Sequence, residues 1–148
     1  MKDTMSIRRN NGQLYANGGH HKDKHLAKAI TRVTFVREGF VNVELNERFV
    51  SIPIVMIKLS PITGLSHQLR FQLFQRQLPI IGDHKYNTLD SLYISALLQK
   101  EIGVGSQLML HSESIELEDG FVATAPLPTH METLIGAMSC IDGHFKIN

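Results

Sequence analysis

Two apolar runs joined by three polar residues decide what this chain can fold into. In the first, residues 40–45 (FVNVEL), Val41, Val43 and Leu45 alternate with Asn42 and Glu44. Asn46, Glu47 and Arg48 follow, and then a second run, residues 49–60 (FVSIPIVMIKLS). A period of two marks strands, and a three-residue link is too short for a helical crossover. The two runs therefore predict an antiparallel pair. Pro53 has no N–H to give a ladder, so the second strand belongs at a sheet edge or a bulge. Residues 29–36 (AITRVTFV) add a third strand, with a turn expected at Glu38-Gly39.

The period changes after residue 61. Ser66 is a candidate N-cap, and Leu69, Leu73 and Phe74 recur at helical spacing through Gln77. Pro79 then stops the helix. Residues 79–83 (PIIGD) read as a short extended step. A second helix is expected over residues 88–100, where Leu89, Leu92, Tyr93, Ala96 and Leu97 share a face. Residues 107–117 read as a strand, Asp119-Gly120 as a turn and residues 121–126 as the returning strand. Thr129 is placed to cap a last short helix holding Met131, Leu134 and Ile135. The sum is an α+β fold, mostly antiparallel sheet with segregated helices.

Residues 1–27, rich in Asn, Gly and His, read as a flexible basic tail, which leaves 28–148 as the folded domain. A chain of 148 residues is one domain with room for a core. One cysteine, Cys140, rules out an internal disulfide and a Cys-based zinc site, and points to an intracellular compartment, cytoplasmic or mitochondrial. No apolar window is long enough for a membrane span. The His-rich run at residues 20–25 (HHKDKH) lacks a second ligand cluster, so no metal is expected. Net charge is +1, so any nucleic-acid surface must gather its cations on one side. Eight of the fifteen Lys and Arg do fall within the first 37 residues.

Chemistry concentrates in residues 63–87, TGLSHQLRFQLFQRQLPIIGDHKYN. Thr63-Gly64 ends a strand where a helix begins, and a helix N-terminus attracts anions. Arg70 lies one turn in, between Leu69 and Phe71. A sheltered guanidinium needs an anionic partner. The partner is either a phosphate or one of the chain's own carboxylates, and the fork suits both.

Thr63-Gly64, His67-Gln68-Leu69-Arg70, then Pro79-Ile80, Gly82-Asp83 and Tyr86 resemble the third signature region of the RluA-type RNA pseudouridine synthases. Leu110-His111 and Ala125-Pro126-Leu127-Pro128 resemble that family's later strands. The resemblance covers about residues 28–137, the C-terminal half of a catalytic domain. It implies a base-flipping isomerase that turns uridine into pseudouridine in structured RNA, ribosomal RNA above all, without cofactor or metal. An aspartate attacks the nucleoside; uracil detaches, turns and is rejoined through carbon. The resemblance places Arg70 where an arginine pairs with that aspartate and keeps it ionised. It makes Thr63, Gly64, His67, Gln68 and Tyr86 candidates for RNA contact or for shaping the site, and gives Gly82 and Asp83 to a structural loop.

The sequence departs from that family at telling places. No aspartate here lies in a context like the family's nucleophile motif; Asp23, upstream among basic residues, lacks the Thr-Ser-Gly that should follow. Leu65 replaces an arginine and Asn87 a glycine. The expectations are therefore a fragment or truncated form of a synthase, or one piece of a split enzyme completed by a second polypeptide, or a degenerate synthase that binds RNA or a ribosomal particle without catalysis, or else a non-catalytic ribosome assembly factor or ribonucleoprotein component.

Overall fold

The computed structural model describes residues 12–17 and 28–140. In chain order the elements are β1 (Gly12–Asn17), β2 (Lys28–Leu45), β3 (Arg48–Pro61), α1 (Gln68–Gln75), α2 (Leu89–Ile102), β4 (Ser114–Glu116), β5 (Val122–Thr124), α3 (Thr129–Ala137) and β6 (Ser139–Cys140). The fold is α+β: two antiparallel sheets and three helices among the described residues.

The expected hairpin is β2–β3, in register from Thr31 opposite Pro61 to Leu45 opposite Arg48. Its turn is Asn46-Glu47, with φ of 51° and 59°. Two left-handed residues make the tight turn whose twist suits a hairpin. The ladder runs unbroken past Pro53, which sits opposite Phe40 on β3, an edge strand. The other side of β2 pairs with β1 from Lys28 to Val33 and with β6 at Gly39 and Phe40. Residues 12–17, assigned by sequence to the tail, are thus a strand. The rest of that tail, with the His-rich run, lies outside the described residues.

The turn expected at Glu38-Gly39 is absent, and β2 continues through it. Gly39 is needed there for another reason. A Cβ on it would run into the backbone oxygen of Ser139, so its lack of side chain lets β6 close on β2. The break in β2 is instead a bulge at Val36, between Phe35 opposite Ile57 and Arg37 opposite Met56.

That bulge divides the core. Side chains of β3 alternate, so Ile52 and Ile54 point to one pleat face, and Ile57 and Leu59 to the other. One cluster joins Ile52 and Ile54 to Val41, Val43, Leu98, Leu134 and Met138 under α2 and α3. The second joins Ile57 and Leu59 to Val33 and Leu73 under α1. The extra residue in β2 lets Val33 serve the second cluster and Val41 and Val43 the first. The faces of α1 and of α2–α3 are thereby assigned by one bulge.

Helix ends also differ from the sequence expectations. α1 starts from His67, not Ser66, and ends at Gln75. α2 begins from Thr88, whose hydroxyl accepts the Ser91 N–H in a capping box. α3 has Pro128, not Thr129, before its first turn, with no side-chain cap. Residues 107–113 are not strand: the Met109 N–H donates to the Ile81 carbonyl and the Glu113 carbonyl accepts the Ala125 N–H, but the ladder is confined to Ser114–Glu116 against Val122–Thr124.

Candidate functional site

The segment 63–87 is assembled by side-chain amides. Gln68 is buried at the start of α1. Its Nε2 donates to the Ile30 carbonyl (3.1 Å) and to Thr31 Oγ1 (2.9 Å). Its Oε1 accepts the Thr63 hydroxyl (2.8 Å) and the Leu65 N–H (3.0 Å). One turn later Gln72 accepts the Thr31 hydroxyl (2.6 Å) and donates to the Ala29 carbonyl (3.1 Å). Thr63 Oγ1 also accepts the Ile30 N–H (2.8 Å). Two glutamines four residues apart share a helix face. Here that face lies along β2 and ties the strand, the Thr63-Gly64 turn and α1 together. Polar groups buried this way are safe only because each is bonded.

The opposite face of α1 carries Arg70. Its Nε and Nη2 donate to Asp83 Oδ2 (2.8 Å) and Oδ1 (2.7 Å), a bidentate pair. The Asp83 side chain is fully buried and Arg70 retains 21% exposure. Asp83 Oδ1 also accepts the backbone N–H of Lys85 and of Tyr86, both at 2.9 Å. These bonds, those from Arg70 foremost, hold the Asp83 carboxyl well below the usual carboxylate range against the effect of burial. The same hydrogen bonds push Arg70 upward.

The loop around Asp83 is closely fitted. Gly82 has φ of 74°, and a Cβ there would overlap the Gln107 carbonyl. Its N–H donates to Ser95 Oγ on α2 (3.1 Å). Asn87 Nδ2 donates to the Asp83 carbonyl (3.1 Å), so the residue that departs from the family pattern closes the loop. Tyr86 packs edge-on to Phe71 (5.9 Å between ring centroids) and His67 (5.7 Å). The Arg70 guanidinium carbon lies 5.3 Å from the Tyr86 centroid. His67 takes the left-handed conformation (φ 55°) before α1, and its Nδ1 is 3.2 Å from the Tyr86 hydroxyl.

The expected residues therefore meet in one place. Thr63 and Gln68 form the inner lock. Arg70, Tyr86 and His67 form an outer patch, with Asp83 buried behind it. Gly64 is exposed, and a Cβ on it would meet nothing within 4 Å. Of the two partners sequence allowed for Arg70, the chain's own carboxylate is the one in place. The guanidinium is not exhausted by it: two of its five N–H groups are used in these bonds. Gln72 and Thr31 went unnoticed in the sequence, although the Gln68/Gln72 spacing was the available sign. Among the described residues no group of His, Cys, Asp and Glu is placed to hold a metal ion, and no helix is long and apolar enough to cross a membrane.

Known proteins share this sequence in part. The chain is 37% identical over 75 residues to the mitochondrial pseudouridylate synthase RPUSD4 of Bos taurus, 45% of this chain and 20% of that protein. It is 35% identical over 88 residues to ribosomal large subunit pseudouridine synthase C of Haemophilus ducreyi, 56% of this chain and 26% of that protein. It is 33% identical over 67 residues to an uncharacterized RNA pseudouridine synthase of Helicobacter pylori, 45% of this chain and 23% of that one. The matched stretch thus spans about a quarter of these relatives or less. No protein-family profile and no solved structure matches the chain. By sequence, the chain is similar to RNA pseudouridine synthases over about half of its own length.

Proposed function

We propose that this chain acts on RNA as one part of a pseudouridine synthase, serving uridine isomerisation in structured ribosomal RNA. The observation that carries this is the way Arg70 is held. Asp83 grips one edge of the guanidinium through Nε and Nη2, and the Arg70 side chain, still partly exposed, has three further N–H groups. An arginine splinted like this can orient and keep ionised a second carboxylate, which is what an aspartate nucleophile needs. Asp83 is not that nucleophile. It is buried and accepts four hydrogen bonds, so neither oxygen is available for attack. The reacting aspartate then comes from outside residues 28–140, from further chain or from a second polypeptide.

A surface for such a partner is consistent with the hairpin β4–β5. Its Ile115, Leu117, Phe121 and Val122 are each 48% to 60% exposed. Of the two expected sites of action, cytoplasmic and mitochondrial, the matched relative named as mitochondrial favours the second. No cofactor takes part. The second reading, a non-catalytic ribosome assembly factor or ribonucleoprotein component, is favoured by one observation: Asp83 already satisfies Arg70 as an ion pair.

Tritium release from 5-labelled uridine in ribosomal RNA separates the two. The chain purified with its cellular associates releases tritium if the first reading holds. If those associates and the chain release none, while the chain still binds the RNA, the second holds.

A further inference from the structure

Two cations share one tyrosine. Lys85 Nζ lies 5.4 Å from the Tyr86 ring centroid, and the Arg70 guanidinium carbon lies 5.3 Å from it. Lys85 Nζ is also 3.3 Å from His67 Nδ1. The charges of the two are settled differently. Arg70 has its carboxylate. Among the described residues the ion pairs are Lys58–Glu113, Arg70–Asp83 and Lys100–Glu101, and Lys85 belongs to none of them.

Lys85 is exposed, yet its backbone is fixed. Its N–H is bonded to Asp83 Oδ1, on the carboxylate that also holds Arg70. The ammonium at the end of the side chain lies beside the Tyr86 ring. Its surroundings favour an anion. α1 begins at His67 with no acidic residue in its first turn, so the positive end of the helix dipole is uncompensated there. Leu65 brings no charge to the turn, and Gly64 leaves it open. A compact ammonium suits a phosphate oxygen as a point charge.

We propose that Lys85, with His67 beside it, binds a backbone phosphate of the RNA, and that Tyr86 sets the ammonium in place. This rests on the RNA-acting reading above. Lys85 is a positioning residue: it fixes the register of the strand against Arg70 and carries no base preference.

The test measures binding of a fluorescein-labelled, uridine-looped RNA hairpin to the full chain by anisotropy, across a fourfold range of KCl. Each phosphate contact adds to the slope of log affinity against log salt. Lys85→Gln is expected to lower that slope by about 1, so fourfold more salt costs the variant roughly fourfold less affinity than it costs the wild type. Lys85→Arg restores the slope, and Lys100→Gln leaves it unchanged. Thermal melts of all three match the wild type. If the wild type binds and Lys85→Gln keeps its slope and affinity, the Lys85 contact is overturned while the RNA reading stands. If the wild type binds no RNA at any salt, the Lys85 contact is overturned, and the RNA reading is then decided by tritium release from the assembly.

Discussion

Replacing Asp83 by asparagine isolates the contact on which the site depends. The amide keeps the size of the carboxylate, and its oxygen can still accept the Lys85 and Tyr86 N–H groups. What it loses is the charge, and one bond becomes a clash of donors, since the amide N–H₂ faces an Arg70 N–H. Breaking a buried ion pair from one side costs about 3–5 kcal/mol. Asp83 is fully buried but Arg70 is 21% exposed and can draw on water, which places the cost at the lower end, about 3 kcal/mol. For a domain of this size that lowers Tm by about 6–12 °C. The pH dependence has a definite sign. The folded carboxyl titrates well below its ordinary value, so the pair's contribution is complete above the unfolded value and is lost as pH falls through the folded one. The Tm gap between wild type and Asp83→Asn should be constant from about pH 7 to 5 and narrow below about pH 4, the ordinary carboxylate value. Differential scanning calorimetry across that range reads it directly. An Asp83→Asn protein as stable as wild type at pH 7 would refute the reasoning.

Other changes test the remaining parts. Gln72→Ala removes the acceptor of the buried Thr31 O–H and a donor to the Ala29 carbonyl, and should cost about 2–3 kcal/mol by urea denaturation. Gly82→Ala combines a left-handed φ with a backbone collision and should leave little folded protein by circular dichroism. Thr88→Ala removes the capping box of α2 and should cost about 1 kcal/mol in the same denaturation. Glu113→Gln, by contrast, breaks a solvent-exposed pair with Lys58 and should leave Tm unchanged.

The period of two and the period of 3.6 were legible because they report burial directly. They give the β2–β3 hairpin and the three helices. What they missed depends on contacts between distant residues. Gly39 looks like a turn residue until Ser139 is known to lie against it. The bulge at Val36 has no local signature, yet it decides which core cluster each half of β2 enters. β1 is polar in sequence and becomes a strand by adding to the free edge of β2. In the site, the motif marked Arg70 and Asp83 separately. That they bind each other needed the loop geometry, because either a phosphate or a carboxylate satisfies an arginine. Lys85 stood inside the motif without a role, since an exposed lysine is ordinary until its neighbours are seen.

The central claim is that Arg70, splinted by Asp83, serves uridine isomerisation. The direct measurement is tritium release from 5-labelled ribosomal RNA by the chain isolated together with its cellular associates, compared for wild type and Arg70→Met at matched amounts of folded protein. The account predicts release by the wild-type assembly and its loss with Arg70→Met. Release that continues undiminished with Arg70→Met would contradict it.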